Sequence, residues 1–158
     1  MSGPTLNPDF FDLLEALEHE GVRYLVVGAF ALAGLGASRF TSDLDVWVCP
    51  DADNAQRVIQ ALRRFGAPIL GHGVGPQDFA RPGAVYQMGL PPRRIDILTR
   101  IDGVEFDQAW RGRAEIRLGT LRVPALGLEC FLRNKRASGR PKDLLDIELL
   151  REAGLPVD

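Results

Sequence analysis

Three aspartates stand inside otherwise apolar stretches of this sequence, where carboxylates are unusual. Asp43 and Asp45 open the run Asp-Leu-Asp-Val-Trp-Val, and Asp96 lies between two isoleucines. Aspartate is disfavoured in β-strands and costs free energy when it is buried without a partner. Carboxylate oxygens are also the ligands that hard divalent cations prefer. The three residues are therefore candidate metal ligands and candidate catalytic residues.

The spacing of these aspartates suggests what a bound cation would do. Alternate strand residues share a face, so Asp43 and Asp45 would lie on one face with their Cα atoms roughly 7 Å apart. With Asp96 on a neighbouring strand, three carboxylates would form a pocket for two cations about 3.5–4 Å apart, an arrangement that serves phosphoryl transfer. Alternatively, the aspartates line a solvated sheet face or cap neighbouring helices. The aspartates alone do not decide between these interpretations.

A glycine ahead of the acid pair favours nucleotide chemistry. The apolar strand predicted over 22–27 ends at Gly28, and a short helix is predicted over 30–35. Glycine allows the backbone to approach a ligand closely, and a helix N-terminus favours anions. Gly28 by itself predicts only a tight turn. Followed fifteen residues later by Asp43, it predicts a phosphate cradle beside a cation site.

Both lysines of the chain fall in one basic segment. The sequence has 17 arginines but only Lys135 and Lys142, within a segment of ten residues, 133–142, that carries five cations. Because a lysine ammonium is a compact charge suited to phosphate, we expect Lys135 to neutralise a triphosphate, with Lys142 as second choice. Alternatively, the segment is a solvated helix end. Asp143 and Asp146 are placed to pair with its cations or to cap the last helix.

The remaining pattern predicts one α/β (α+β) domain over residues 1–158, a small mixed sheet flanked by helices. Asn7 or Asp9 is a candidate cap for the first helix, and Asp51 or Asp53 for the third. Helices are expected over about 8–20, 51–65, 126–137 and 141–153, with a shorter one over 106–110. Further strands are expected over 44–49, 84–90 and 94–99, with a hairpin over 114–124. The segment 66–83 is expected to be irregular, with a short strand around 68–70.

Composition excludes several function classes. A formal net charge of -2 gives no global positive field that would attract nucleic acid, which leaves only a local basic patch for that purpose. Cys49 and Cys130 lack metal-ligand spacing and are expected to be reduced and buried. The N-terminal residues do not resemble a signal peptide, and no apolar run approaches the roughly 20 residues that cross a bilayer. We therefore expect a cytoplasmic protein with no membrane partner.

Several motifs together resemble those of a known superfamily. They are Val26-Val-Gly28-Ala29, Asp43-Leu-Asp45, the later Asp96, the stretch Arg39-Phe-Thr41-Ser-Asp43-Leu-Asp45, and the C-terminal stretch from Asn134 to Asp146. On these residues the sequence resembles the nucleotidyltransferases related to DNA polymerase β. It is most similar to the small enzymes of toxin–antitoxin and phage-defence systems. The resemblance covers roughly residues 20–152.

The resemblance implies a reaction and a set of site residues. The reaction would be the Mg²⁺- or Mn²⁺-dependent transfer of an NMP from an NTP to a hydroxyl of RNA such as tRNA, of a protein, or of a small molecule. A cognate toxin or antitoxin would be a further partner. Asp43, Asp45 and Asp96 would be the catalytic metal ligands. The nucleotide-binding residues would be Gly28, Ala29, Ser38, Arg39, Thr41, Ser42, Lys135 and Lys142.

One departure from the superfamily pattern favours a second class of function. Ala29 stands where related enzymes have glycine or a serine whose hydroxyl binds phosphate. Alanine offers only its backbone N–H, which shifts phosphate binding toward Ser38, Thr41 or Ser42. The alternative function is a catalytically weak or inactive antitoxin or binding protein. Aminoglycoside nucleotidylation is expected to need a second substrate-binding domain, for which 158 residues leave little room.

Overall fold

A six-stranded mixed sheet with helices on both faces forms the centre of the computed structural model, which describes residues 7–38, 43–90 and 93–158. The helices are α1 (Pro8–His19), α2 (Gly28–Gly34), α3 (Ala52–Phe65), α4 (Phe106–Arg111), α5 (Leu128–Ser138) and α6 (Pro141–Glu152). The strands are β1 (Tyr24–Val27), β2 (Leu44–Val48), β3 (Val85–Met88), β4 (Ile95–Leu98), β5 (Ala114–Leu118) and β6 (Leu121–Ala125). No helix in these ranges is long and apolar enough to cross a membrane.

The strand order places the two acidic strands side by side. Across the sheet the order is β3-β4-β2-β1-β6-β5. The pairs β2–β4 and β1–β6 are parallel, and the other neighbours are antiparallel. In the β2–β4 register Asp45 lies opposite Asp96. The condition for a shared carboxylate pocket, that the strand of Asp96 neighbours the strand of the acid pair, is therefore met for Asp45 and Asp96.

Two apolar clusters fix the sheet between its helices. One cluster joins α1 and α3 to the face that carries Leu44, Val46 and Ile97. The other joins α2, α4, α5 and α6 to the opposite face, which carries Leu25 and Trp47. All four residues of β1 are buried, as expected for a continuous apolar strand covered on both faces.

Local signals account for the ends of the helices. Asn7 accepts a hydrogen bond from the backbone of Asp9, and Asp51 accepts one from the backbone of Asn54, so both predicted caps are present. The short strand predicted around 68–70 is wrong. The backbone there forms turns, with His72 N–H donating to Pro68 and Val74 N–H to Ile69. These local hydrogen bonds remove the segment from any sheet ladder.

A buried ion-pair network joins α5 to α6. Lys135 Nζ lies 3.2 Å from Asp143 Oδ1 and 3.1 Å from Asp146 Oδ2, and both carboxylates are fully buried. Arg140 adds a hydrogen bond of 2.8 Å from Nε to Asp143. Burial acts to raise the pKa of Asp143, but the hydrogen bonds from Arg140 and Lys135 outweigh it and the pKa is lowered. The local ion pairs that the sequence suggested are thus present as buried contacts between the two helices.

Replacing Lys135 tests this network. In Lys135→Met two buried carboxylates lose their shared cation, and we expect the free energy of unfolding in urea to fall by about 3–5 kcal/mol. Lys142→Met is the matched control, because Lys142 is exposed, and should cost less than about 1 kcal/mol. Equal losses in the two variants would contradict a structural role for Lys135.

Candidate active site

Two of the predicted carboxylates meet across adjacent strands. Asp45 and Asp96 are register partners in parallel strands, and their neighbours Leu44 and Ile95 are buried in the cluster on the other face. Because strand side chains alternate, both aspartates project from the face that α2 and the C-terminal helices cover. Asp96 is 7% exposed, so its carboxylate is largely removed from water.

The environment of Asp45 resists ionisation. Burial, the charges of Asp96 and Asp43 and a hydrogen bond with Asp96 together raise the pKa of Asp45 to about 6, while Lys142 acts to lower it. Because this pKa is higher in the folded chain, stability falls as the pH rises between 3.8 and about 6. At neutral pH the ionised carboxylates therefore carry an electrostatic cost that a nearby cation would offset.

A guanidinium group supplies part of that positive charge. Arg94 Nη2 lies 3.1 Å from Asp43 Oδ2, and Arg94 Nε lies 3.1 Å from Asp96 Oδ1. A longer hydrogen bond of 3.4 Å runs from Nη2 to Asp96 Oδ2. Arg94 thus bridges the first and third predicted aspartates. In the described ranges no three acidic, histidine or cysteine side chains are already gathered for a metal ion, so the three aspartates do not form a ready-made cage.

Gly28 lies directly against this carboxylate pair. Its φ of +66° is a left-handed conformation that glycine adopts without strain. A Cβ at this position would lie 2.5 Å from Asp45 Oδ2. Glycine is therefore required by the close approach of the backbone to Asp45. The sequence predicted a close approach here, but to a phosphate rather than to a carboxylate.

Two of the other predicted nucleotide-binding residues of this region lie in the described part of the chain. Ala29 is buried and Ser38 is exposed. Arg39, Thr41 and Ser42 lie outside the described residues, so their assignment stays a prediction.

The two lysines have different environments. Lys135, the first choice for a triphosphate contact, is buried with its ammonium between Asp143 and Asp146. That placement explains its charge without a phosphate, and its predicted role gains no support from the geometry. Lys142 is exposed and close enough to Asp45 to lower its pKa. Of the two, Lys142 is the cation that the fold brings to the carboxylates.

A cleft of about 410 Å³ opens elsewhere on the molecule. Trp47, Cys49, Thr99 and Phe106 line it, together with the acidic Asp51, Glu105 and Asp107 among others. None of the three predicted catalytic aspartates lines this cleft. Cys49 and Thr99 immediately follow β2 and β4, beyond the carboxylate pair along both strands. The chemistry of the carboxylates, rather than this cleft, therefore locates the candidate site.

Sequence reasoning missed the contact that Arg94 makes. Arg94 precedes Asp96 by two residues, so strand alternation already predicts that the two share a face. No signal in the sequence showed that Arg94 would also reach Asp43, because that contact depends on the register between β2 and β4.

Solved structures share the fold of this chain. The chain is similar to a Thermotoga maritima protein whose description as a nucleotidyltransferase is provisional (16% identity, 94% of each chain covered, TM-score 0.55). It is also similar to the lincosamide antibiotic adenylyltransferase LnuA bound to lincomycin (17% identity, 96% of this chain and 99% of that chain, TM-score 0.50). A third similar structure is ANT(2″)-Ia in complex with adenylyl-2″-tobramycin (14% identity, 91% and 84% covered, TM-score 0.53).

At these identities the likeness establishes the fold, and the predicted α/β class and nucleotidyltransferase fold are confirmed. No family profile matches the sequence, and no curated protein matches it.

Replacing Gly28 tests the contact with Asp45. We expect Gly28→Ala to lower the free energy of unfolding by about 1–3 kcal/mol more than Gly73→Ala, because the new methyl group overlaps Asp45. Gly73 is the matched control, since its φ is +68° and nothing lies within 4 Å of an added Cβ. The measurement is urea unfolding of both variants with chelator present. Equal losses would show that left-handed strain alone, rather than contact with Asp45, makes glycine necessary at position 28.

Proposed function

We propose that this protein is a metal-dependent nucleotidyltransferase that moves an NMP from an NTP to a hydroxyl acceptor. The observation that carries the proposal is the pairing of Asp45 with Asp96 on adjacent parallel strands of a nucleotidyltransferase fold. Two carboxylates held side by side in a half-buried environment lower the stability of the fold, but the same arrangement is suited to binding a divalent cation.

The donor set fits Mg²⁺ or Mn²⁺. All three predicted ligands are carboxylates, which suit these hard cations, and burial together with the charges of Asp96 and Asp43 raises the pKa of Asp45. Asp43, Asp45 and Asp96 would hold the cation. When bound, the cation would neutralise phosphate charge and stabilise the charge that develops during phosphoryl transfer.

The chain's own groups suggest how the transfer proceeds. The acceptor oxygen attacks the α-phosphorus of the NTP, the bond from that phosphorus to the bridging oxygen breaks, and pyrophosphate leaves. Asp96, which lies on β4 beside Asp45, would accept the hydroxyl proton as general base. Gly28, whose lack of a side chain brings the backbone against Asp45, keeps the space beside the pair free of a methyl group.

Lys142 is the proposed phosphate contact. It is exposed at the start of α6, yet its charge acts on Asp45. The buried Lys135–Asp143–Asp146 network fixes the adjacent helical turn and so fixes where Lys142 emerges. In this proposal Lys135 positions the helix and Lys142 meets the nucleotide.

The acceptor is proposed by class. The sequence resemblance favours RNA such as tRNA, or a protein hydroxyl, in a toxin–antitoxin or defence setting with a cognate toxin or antitoxin as partner. The lincomycin bound to LnuA and the adenylyl-tobramycin bound to ANT(2″)-Ia support a third class, small hydroxyl-bearing molecules. All three classes of acceptor attack through a hydroxyl oxygen and differ in the molecule that carries this hydroxyl.

A catalytically inactive antitoxin or binding protein is the second candidate function. Ala29 removes the serine hydroxyl that related enzymes use, and Arg94 already compensates two of the carboxylates. Both features suit a fold retained for binding rather than for transfer. Transfer activity separates the two proposals.

The test is a transfer assay with each of the four NTPs labelled at the α-phosphate. The acceptor arms are total tRNA, a protein extract, and a panel of small hydroxyl compounds that includes lincosamides and aminoglycosides. We expect label in one arm with Mg²⁺ and none with chelator. Asp96→Asn should slow the transfer by about 10²–10⁴-fold, the range of a general base.

Two further variants sharpen the assay. Lys142→Met should raise the KM for the NTP with little change in the free energy of unfolding. Asp107→Asn is the surface control, because that carboxylate is 79% exposed and pairs only loosely, at 3.6 Å, with Arg23. Absence of label from all three arms, with Mg·NTP binding unaffected by Asp45→Asn, would contradict the enzymatic proposal and favour the binding protein.

A further inference from the structure

Arg94 occupies the space between two carboxylates that the proposed function assigns to a divalent cation. Its guanidinium contacts Asp43 through Nη2 at 3.1 Å and Asp96 through Nε at 3.1 Å. We propose that Arg94 is an internal counter-ion that occupies the cation position in the ligand-free protein and leaves it when a divalent cation binds. This inference rests on the metal site of the proposed function and adds a residue that opposes cation binding.

The geometry makes Arg94 and a divalent cation competitors for the same oxygens. Arg94 donates N–H groups to the oxygens of Asp43 and Asp96 through a planar fork. A divalent cation of this class binds carboxylate oxygens at about 2.0–2.6 Å. A guanidinium at hydrogen-bond distance from the same oxygens uses one lone pair of each and repels the incoming positive charge. A cation bound between the two aspartates therefore competes with Arg94, which in this proposal withdraws from at least one of them.

Of the three side chains, Arg94 is the one best able to move. Its side chain is 34% exposed, whereas that of Asp96 is 10% exposed. Asp96 is also fixed within β4 by its pairing with β2 and β3. Arg94 precedes β4 and reaches solvent, where water can replace the hydrogen bonds that it gives up. The carboxylate stays, and the guanidinium is the group that is displaced.

The positive charge of Arg94 affects both the stability of the ligand-free chain and its affinity for a cation. Asp45 lies opposite Asp96, and Arg94 joins Asp96 to Asp43, so the three aspartates bring like charges close together. Arg94 offsets part of this repulsion at Asp43 and Asp96 in the ligand-free chain. The same contact lowers affinity for the cation, because part of the binding free energy is used to displace the arginine.

Equilibrium binding of Mn²⁺ tests the proposal, with free Mn²⁺ measured by electron paramagnetic resonance. We expect Arg94→Gln to bind Mn²⁺ about tenfold more tightly than the wild-type chain, a change of about 1.4 kcal/mol. Arg94→Lys keeps the charge without the planar fork, and its dissociation constant for Mn²⁺ should lie between those of the wild-type chain and Arg94→Gln. The matched control is Arg93→Gln, which removes the same charge one residue away and should change the dissociation constant by less than about twofold. Unchanged or weaker Mn²⁺ binding by Arg94→Gln would overturn the proposal.

A measurement on the wild-type protein covers the case in which Arg94→Gln fails to fold. The Nε–H of Arg94, hydrogen-bonded to Asp96, should give a separate signal in a ¹⁵N correlation spectrum, assigned by its loss in Arg94→Lys. Titration with Mg²⁺ and a non-hydrolysable NTP analogue should shift or abolish this signal. A signal that stays in place at saturating ligand would overturn the displacement.

Asp45→Asn separates failure of this inference from failure of the proposed function. If Mn²⁺ binds the wild-type chain, is lost in Asp45→Asn and is unaffected in Arg94→Gln, the metal site stands and the counter-ion role is wrong. If Mn²⁺ binds neither the wild-type chain nor any of the variants, both proposals are overturned. If Arg94→Gln weakens only binding of Mn²⁺ with nucleotide, Arg94 is a phosphate contact and the counter-ion role is likewise wrong.

Discussion

The side-by-side placement of Asp45 and Asp96 is the constraint on which the candidate site depends. The parallel register of β2 and β4 sets them opposite each other, with apolar neighbours buried behind them. That register holds two like charges together, and the pKa of Asp45 rises to about 6 as a result of burial and of the nearby carboxylates. Free energy from the apolar clusters on both sheet faces must offset this repulsion, so the site is maintained at the expense of stability.

Three features surrounding the pair follow from that constraint. Gly28 lacks a side chain where a Cβ would overlap Asp45. Arg94 supplies a cation to Asp96 and Asp43. The charge of Lys142 acts to lower the pKa of Asp45. Lys142 lies on α6, which a buried ion-pair network anchors to α5. Each feature relieves either the crowding or the charge at the same two carboxylates, which supports the interpretation of this region as a site for cationic and anionic ligands together.

Much of the fold could be predicted from the sequence, because apolar periodicity and capping residues act locally. That the strand of Asp96 lies beside that of Asp45 was a condition of the metal-site interpretation, and the sheet order meets it. The roles within the basic segment were harder to predict. Lys135 and Lys142 look alike in sequence, and only the packing of α5 against α6 buries one and exposes the other. The reach of Arg94 to Asp43 likewise depends on strand register, a long-range property that local pattern does not encode.

The most direct test of the account is anomalous diffraction from crystals of the protein grown with Mn²⁺ and a non-hydrolysable NTP analogue. The account predicts a manganese peak between the carboxylates of Asp45 and Asp96, with the guanidinium of Arg94 withdrawn from Asp43. A manganese peak elsewhere on the chain, or nucleotide bound with Arg94 still bridging Asp43 and Asp96, would contradict it.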